Sequence, residues 1–157
     1  MDGELRDVLT LSIELERSVA KLYRLYSYLF GADQAFWWTL SMEEENHAAL
    51  LQSCLDYFDP AGLVPDHISL GTVETLLKIV HEINEKIELF KSSRPSADEA
   101  CRYAYQLEIS AGEVHYQQMV STESDQKFNE LFQKLNGDDK DHYKRIEAFM
   151  IEKGIPL

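Results

Sequence analysis

Apolar positions recur at helical spacing along nearly the whole chain and divide it into five segments that read as helices. Between about Glu4 and Phe30, the residues Leu5, Leu9, Val19, Tyr23, Tyr26 and Phe30 form one stripe, which Gly31 is expected to close. The second segment runs from Asp33, a candidate N-cap, to Phe58, where Asp59-Pro60-Ala61-Gly62 breaks it. A third, from about Thr72 to Phe90, aligns Val73, Leu76, Val80, Ile83, Ile87 and Phe90. Ser92-Ser93-Arg94-Pro95 is a linker, and Ser96 with Glu99 reads as a capping box that opens a fourth helix, running to about Val120. The fifth starts near Thr122 or Ser124, carries Phe128, Leu131, Leu135, Ile146 and Phe149, and ends at Gly154 before Pro156.

Four of these stripes contain acids, and that changes the picture. In the second segment the inward face reads Trp37, Leu40, Glu44, His47, Leu51, Cys54 and Phe58. Burying an unpaired carboxylate costs several kcal/mol, so Glu44 and His47 must meet something there. Glu16 falls inside the first stripe. In the fourth, Glu108 lies among Ala97, Cys101, Ala104, Ala111 and His115, small residues that let a helix or an ion come close. Asp139 and His142 in the fifth repeat the acid-x-x-His spacing of Glu44 and His47. The third stripe has no acid at all, so the chain does not scatter carboxylates into packing faces.

Composition narrows the setting. The chain's 157 residues suit one domain, residues 1–157, able to bury roughly two thirds of its unfolded surface. A formal charge of -13 with no basic block argues against binding nucleic acid or an anionic membrane surface, while it favours cations. Cys54 and Cys101 form no C-x-x-C pair and are expected as free thiols in a reducing cytoplasm. Met1-Asp2-Gly3-Glu4 lacks a basic export signal, and no apolar run approaches the roughly 18 residues of a membrane span.

The stripe acids match a known chemical requirement. A dimetal carboxylate site in a four-helix bundle takes one carboxylate from each of two helices and an acid-x-x-His pair from each of the other two. Glu16, Glu44/His47, Glu108 and Asp139/His142 supply that set in order. Hard oxygen ligands with one imidazole per metal suit iron or manganese better than structural zinc. Four carboxylates with two neutral histidines also balance two divalent cations.

Several residues compete for the same roles. Glu113 rivals Glu108, although its companions Gln106, Ile109, Tyr116 and Gln117 are more polar. His115 lies two turns from Glu108, about 10 Å along the axis, too far to share a metal. His67 falls in a loop and His81 off the apolar stripe, so both are expected in solvent, while Trp37 and Trp38 are expected to fill the bundle end. Asn136-Gly137 could break the last helix two residues before Asp139, because glycine costs about 1 kcal/mol inside a helix.

Taken together, Leu15-Glu16 with Tyr23, Glu44-Glu45-Asn46-His47-Ala48, Ala104 through Glu108 with Tyr116, and Asp139-Lys140-Asp141-His142 resemble the ferritin-like superfamily, within it the rubrerythrin di-iron domain. The resemblance implies an all-α, ferritin-like antiparallel four-helix bundle with one additional connecting helix between the second and third ligand helices. It implies two iron ions, with manganese an alternative, on Glu16, Glu44, His47, Glu108, Asp139 and His142, and Tyr23 and Tyr116 as hydroxyls that orient the carboxylates. The implied activity is an oxidoreductase that reduces peroxide or dioxygen, and related bundles pair as homodimers. The rubredoxin module with its two C-x-x-C pairs is missing, so electrons would come from an external donor. Ala111 stands where rubrerythrins often carry a further Glu, and Asp139 is shorter than the usual Glu. A non-catalytic iron-storage protein and a metal-free structural bundle are the competing expectations.

Overall fold

A computed structural model of the chain describes residues 3–58, 60, 72–115 and 126–157; within these, the side chains at 4, 57, 58, 111–115, 126–134, 136 and 139 lie outside the description. The described residues are all-helical, in five long helices with no strand: α1 (Gly3–Leu29), α2 (Gln34–Ser53), α3 (Val73–Ser92), α4 (Ala97–His115) and α5 (Gln126–Glu152). None is long and apolar enough to cross a membrane.

The helix ends follow local chemistry, with three differences from the expected caps. Gly31 does not close α1 in a left-handed conformation; it opens a short 3-10 turn, Gly31–Asp33, that leads directly into α2. Asp33 occupies the N-cap position of α2 without capping it, because its carboxylate lies 2.6 Å from Lys153 Nζ. At α3, Thr72 accepts a hydrogen bond from the Thr75 amide, and at α4 the Ser96 hydroxyl accepts one from the Glu99 amide. Glu99 does not return the bond of a full capping box: its side chain pairs with Lys86 at 3.7 Å. Past α5, Gly154 has φ of 69°, and the Ile155 amide reaches the Met150 carbonyl at 2.9 Å, the 6→1 bond of a Schellman motif. The final turn after α2, Cys54–Phe58, widens into a π-helix.

Contacts fix how the helices run. Tyr26 meets Trp37, Ser41 donates to the Ala20 carbonyl, and Glu16 meets His47, so α1 and α2 are antiparallel. Phe36 stacks on Phe149, Arg145 pairs with Glu43, and His47 faces Asp138, which makes α2 and α5 antiparallel. Tyr105 with Glu147 and Glu108 with His142 do the same for α4 and α5. Helix α3 runs alongside α1, Phe90 against Tyr26 and Arg94 on the Leu29 carbonyl, and returns the chain to the end where α4 begins.

One apolar cluster joins these helices. Leu15, Val19, Tyr23 and Tyr26 of α1, Trp37 and Leu40 of α2, Leu76, Ile83 and Phe90 of α3, Cys101 and Ala104 of α4, and Ile146 and Met150 of α5 are all buried in it. Trp37 is buried in this core as expected, whereas Trp38 is on the surface with the Arg24 guanidinium over its ring, because it lies one residue off the stripe. Helix α5 continues through Asn136-Gly137 without a break. Tertiary contacts made by Leu135, His142 and Ile146 outweigh one weak helix former.

Gly137 is exposed, and a Cβ there would meet nothing within 4 Å. Gly137→Ala is expected to raise the unfolding free energy by about 1 kcal/mol in urea denaturation.

Candidate metal centre

Glu16 on α1, Glu44 and His47 on α2, Glu108 on α4 and His142 on α5 are all buried, and they meet between the four helices. Each reaches the interior from an apolar stripe: Leu40 and Leu51 flank the α2 pair, Ala104 and Leu107 precede Glu108, and Leu135 and Ile146 bracket His142. Helix α3 contributes none of them.

Glu44 is the hub. Its Oε2 lies 3.2 Å from His47 Nδ1, and its Oε1 lies 2.7 Å from His142 Nδ1. Glu16 Oε2 is 3.6 Å from the same His47 nitrogen, and Glu108 Oε2 is 3.9 Å from the same His142 nitrogen. Two triads therefore share Glu44, one completed by Glu16 and one by Glu108. The two imidazoles lie nearly face to face, centroids 5.3 Å apart and planes 17° apart. Ligand atoms of Glu44, His47 and His142 fall within 4.8 Å of one another, a buried group that can hold a metal ion. His142 Nδ1, although close to Glu44, is angled so that it makes no hydrogen bond. A buried, misaligned nitrogen beside a carboxylate oxygen fits a pair of atoms that ligate a cation.

Electrostatics in the absence of metal put protons where cations would sit. Burial opposes ionisation of Glu44, but contacts with His142 and His47 hold its carboxyl well below the usual carboxylate range. Burial also disfavours a charged His47, yet the Glu16 and Glu44 carboxylates override it and raise this imidazole to about 11. His142 is raised to about 9, again against its burial, chiefly by Glu44 and then Glu108. Tyr23 is pushed up by burial and by the Glu108 charge, so it stays protonated and donates its hydroxyl hydrogen to Glu108 Oε1. At neutral pH a cation that takes both histidines must displace two protons.

The outer edges of the imidazoles have partners that the helical pattern did not reveal. His142 Nε2 lies 3.2 Å from Glu43 Oε2, and His47 Nε2 lies 3.6 Å from Asp138 Oδ2. Arg145 Nη1 sits 2.7 Å from Glu43 Oε2 and 3.3 Å from Asp141 Oδ2. A cavity of about 320 Å³ adjoins this edge, lined by Glu43, His47, Leu50, Asp138, His142 and Arg145 among others. Glu43 precedes Glu44 and Asp138 lies one turn before His142, but only the crossing of α2 and α5 brings them to these nitrogens.

The remaining expectations divide simply. Asp139 lies on the continuous α5, one turn before His142, and its side chain is outside the described residues, as are those of Glu113, His115 and Ala111. Tyr116 and His67 are also outside the described residues. His81 is exposed and pairs with Glu85, and Cys54 and Cys101 are buried free thiols. In comparisons with known proteins, the chain matches no family model, no curated protein and no solved structure.

Two outcomes follow from the geometry. Both histidines have folded-state values above the unfolded 6.5, so their stabilisation is complete below about pH 6.5 and fades as pH rises through about 9 and then 11. The denaturation midpoint of metal-free protein is accordingly expected to fall between pH 8 and 10, and to fall less in His142→Ala. Tyr23→Phe removes the hydroxyl that Glu108 accepts from and is expected to cost about 1.5–3 kcal/mol, read by urea denaturation at pH 7.

Proposed function

We propose that this chain is a ferritin-like, rubrerythrin-type di-iron protein, an oxidoreductase that reduces peroxide or dioxygen with electrons from a separate donor. One observation carries the proposal: Glu44 turns one oxygen toward each histidine, and each pair is completed by its own carboxylate, Glu16 or Glu108. These three carboxylates and two histidines are five of the six donors that a dimetal carboxylate centre would take, and Glu44 would be common to both positions. In this reading α1, α2, α4 and α5 form the four-helix bundle and α3 is the crossover between its halves. Asp139, on the same helix as His142, is the proposed fourth carboxylate.

Hard oxygens with one nitrogen per position favour iron, with manganese the alternative. A bound pair of such ions supplies reversible one-electron chemistry, enough between them for a two-electron reduction. The chain's own residues do the rest. Glu16 and Glu108 would each hold one end of the metal pair, and His47 and His142 would face it through Nδ1. Tyr23 steers Glu108 through its hydrogen bond and holds a proton at its hydroxyl beside the site. Leu15, Val19, Leu40 and Ala104 lie within one helical turn of the site residues and are buried. A cytoplasmic setting accords with two buried free thiols, and a homodimer with what related bundles form.

Elemental analysis, near-ultraviolet absorption and peroxide consumption test the proposal together. Purified protein is expected to carry about two iron ions per chain, to absorb in the near-ultraviolet when oxidised, and to consume peroxide catalytically with a supplied reductant. Glu44→Ala is expected to lose both ions and the activity. Iron binding with only stoichiometric oxidation would make it a storage protein, and metal content unaffected by Glu44→Ala would leave a structural bundle.

A further inference from the structure

We propose that Glu43, held by Arg145, is a positioning residue that sets the His142 imidazole for metal binding through Nδ1, a role that rests on the dimetal reading. The imidazole is 1% exposed and its two nitrogens face opposite ways. Nδ1 looks inward to Glu44 and Glu108, and Nε2 looks outward to Glu43 Oε2 at 3.2 Å. A histidine that ligates through Nδ1 must keep its proton on Nε2, and an acceptor there fixes both tautomer and ring angle. Glu43 is itself fixed, because the same Oε2 lies 2.7 Å from Arg145 Nη1, and Arg145 is steadied one turn back by Asp141.

A half-buried ion pair of this kind orders little by itself. Glu43 differs in that the oxygen that accepts from Arg145 also lies 3.2 Å from Nε2 of a buried ring. Its helix and that of Arg145 are α2 and α5, the two that carry the histidines, so the contact also sets how the histidine-bearing faces meet. Glu43 stands behind His142 alone, and at His47 the outer nitrogen faces a different carboxylate. His47 Nε2 faces Asp138 at 3.6 Å, longer than an ordinary hydrogen bond, and that carboxylate is 43% exposed. The clamp therefore acts on one metal position. Because the cavity adjoins this edge, water can satisfy Nε2 when Glu43 is removed, so orientation is lost while the fold persists.

Titration of the metal-free full-length chain with Co(II), followed by chelator competition and the visible d–d spectrum, tests the role. Glu43→Ala is expected to weaken one of two Co(II) equivalents by about tenfold to a hundredfold and to alter its spectrum, leaving the other unchanged. Glu43→Gln, which keeps an acceptor oxygen, is expected to recover most of that affinity. Arg145→Ala should fall between them, and Glu45→Gln, whose partner is Arg24, should bind as wild type. If Glu43→Ala binds both equivalents as wild type does, even with a lowered denaturation midpoint, the pair is only a tie between helices and the proposal is overturned. His142→Ala separates the two readings: normal Co(II) uptake there would sink the metal centre itself, whereas loss there with an unaffected Glu43→Ala overturns the positioning role alone.

Discussion

Everything in this molecule depends on placing three carboxylates, Glu16, Glu44 and Glu108, in one dry interior. Like charges so close in a low-dielectric setting repel strongly, and each also forfeits its hydration. The interior holds only because positive charge is supplied in the same small volume. Without metal, protons raised onto His47 and His142 provide it; a bound metal would take the same place and release those protons. Both arrangements use Glu44 as the shared element, so the hub is a requirement of charge balance before it is a feature of any reaction.

The architecture serves that balance. The antiparallel pair α1 and α2 delivers Glu16, Glu44 and His47, the pair α4 and α5 delivers Glu108 and His142, and the two halves meet across Glu44 and His142. The second hairpin can face the first only if the chain returns to its starting end between them. Helix α3 provides that return, and its acid-free stripe of Leu76, Ile83, Ile87 and Phe90 binds it to the shared core without adding charge. The aromatic residues Tyr23, Tyr26, Phe36, Trp37 and Phe149 then make one end of the interior rigid and apolar. The opposite edge, toward Glu43, Asp138 and Arg145, is polar and borders a cavity. A centre closed at one end and polar at the other has a direction for ions, water and small molecules to approach.

Helical periodicity alone identified five helices and placed Glu16, Glu44, His47, Glu108 and His142 on their buried faces. This worked because the period of 3.6 residues is a local property, and because a carboxylate in an apolar stripe is anomalous wherever the chain folds. Local reasoning failed at the caps: Asp33 has the chemistry of an N-cap, yet Lys153, distant in sequence, takes its carboxylate. It was equally unable to judge Asn136-Gly137, where a turn-forming pair stays helical because packing on either side holds it.

The sequence by itself determined which residues had to be inside and what chemistry they could share, since those follow from periodicity, charge and donor type. Only the tertiary structure decided that one oxygen of Glu44 serves each histidine, that Tyr23 donates to Glu108, and that Glu43 and Arg145 stand behind His142. Those facts depend on how far one helix slides and turns against another. A shift of one residue is 1.5 Å along the helix and about 100° around it, which no pattern within a single helix can specify.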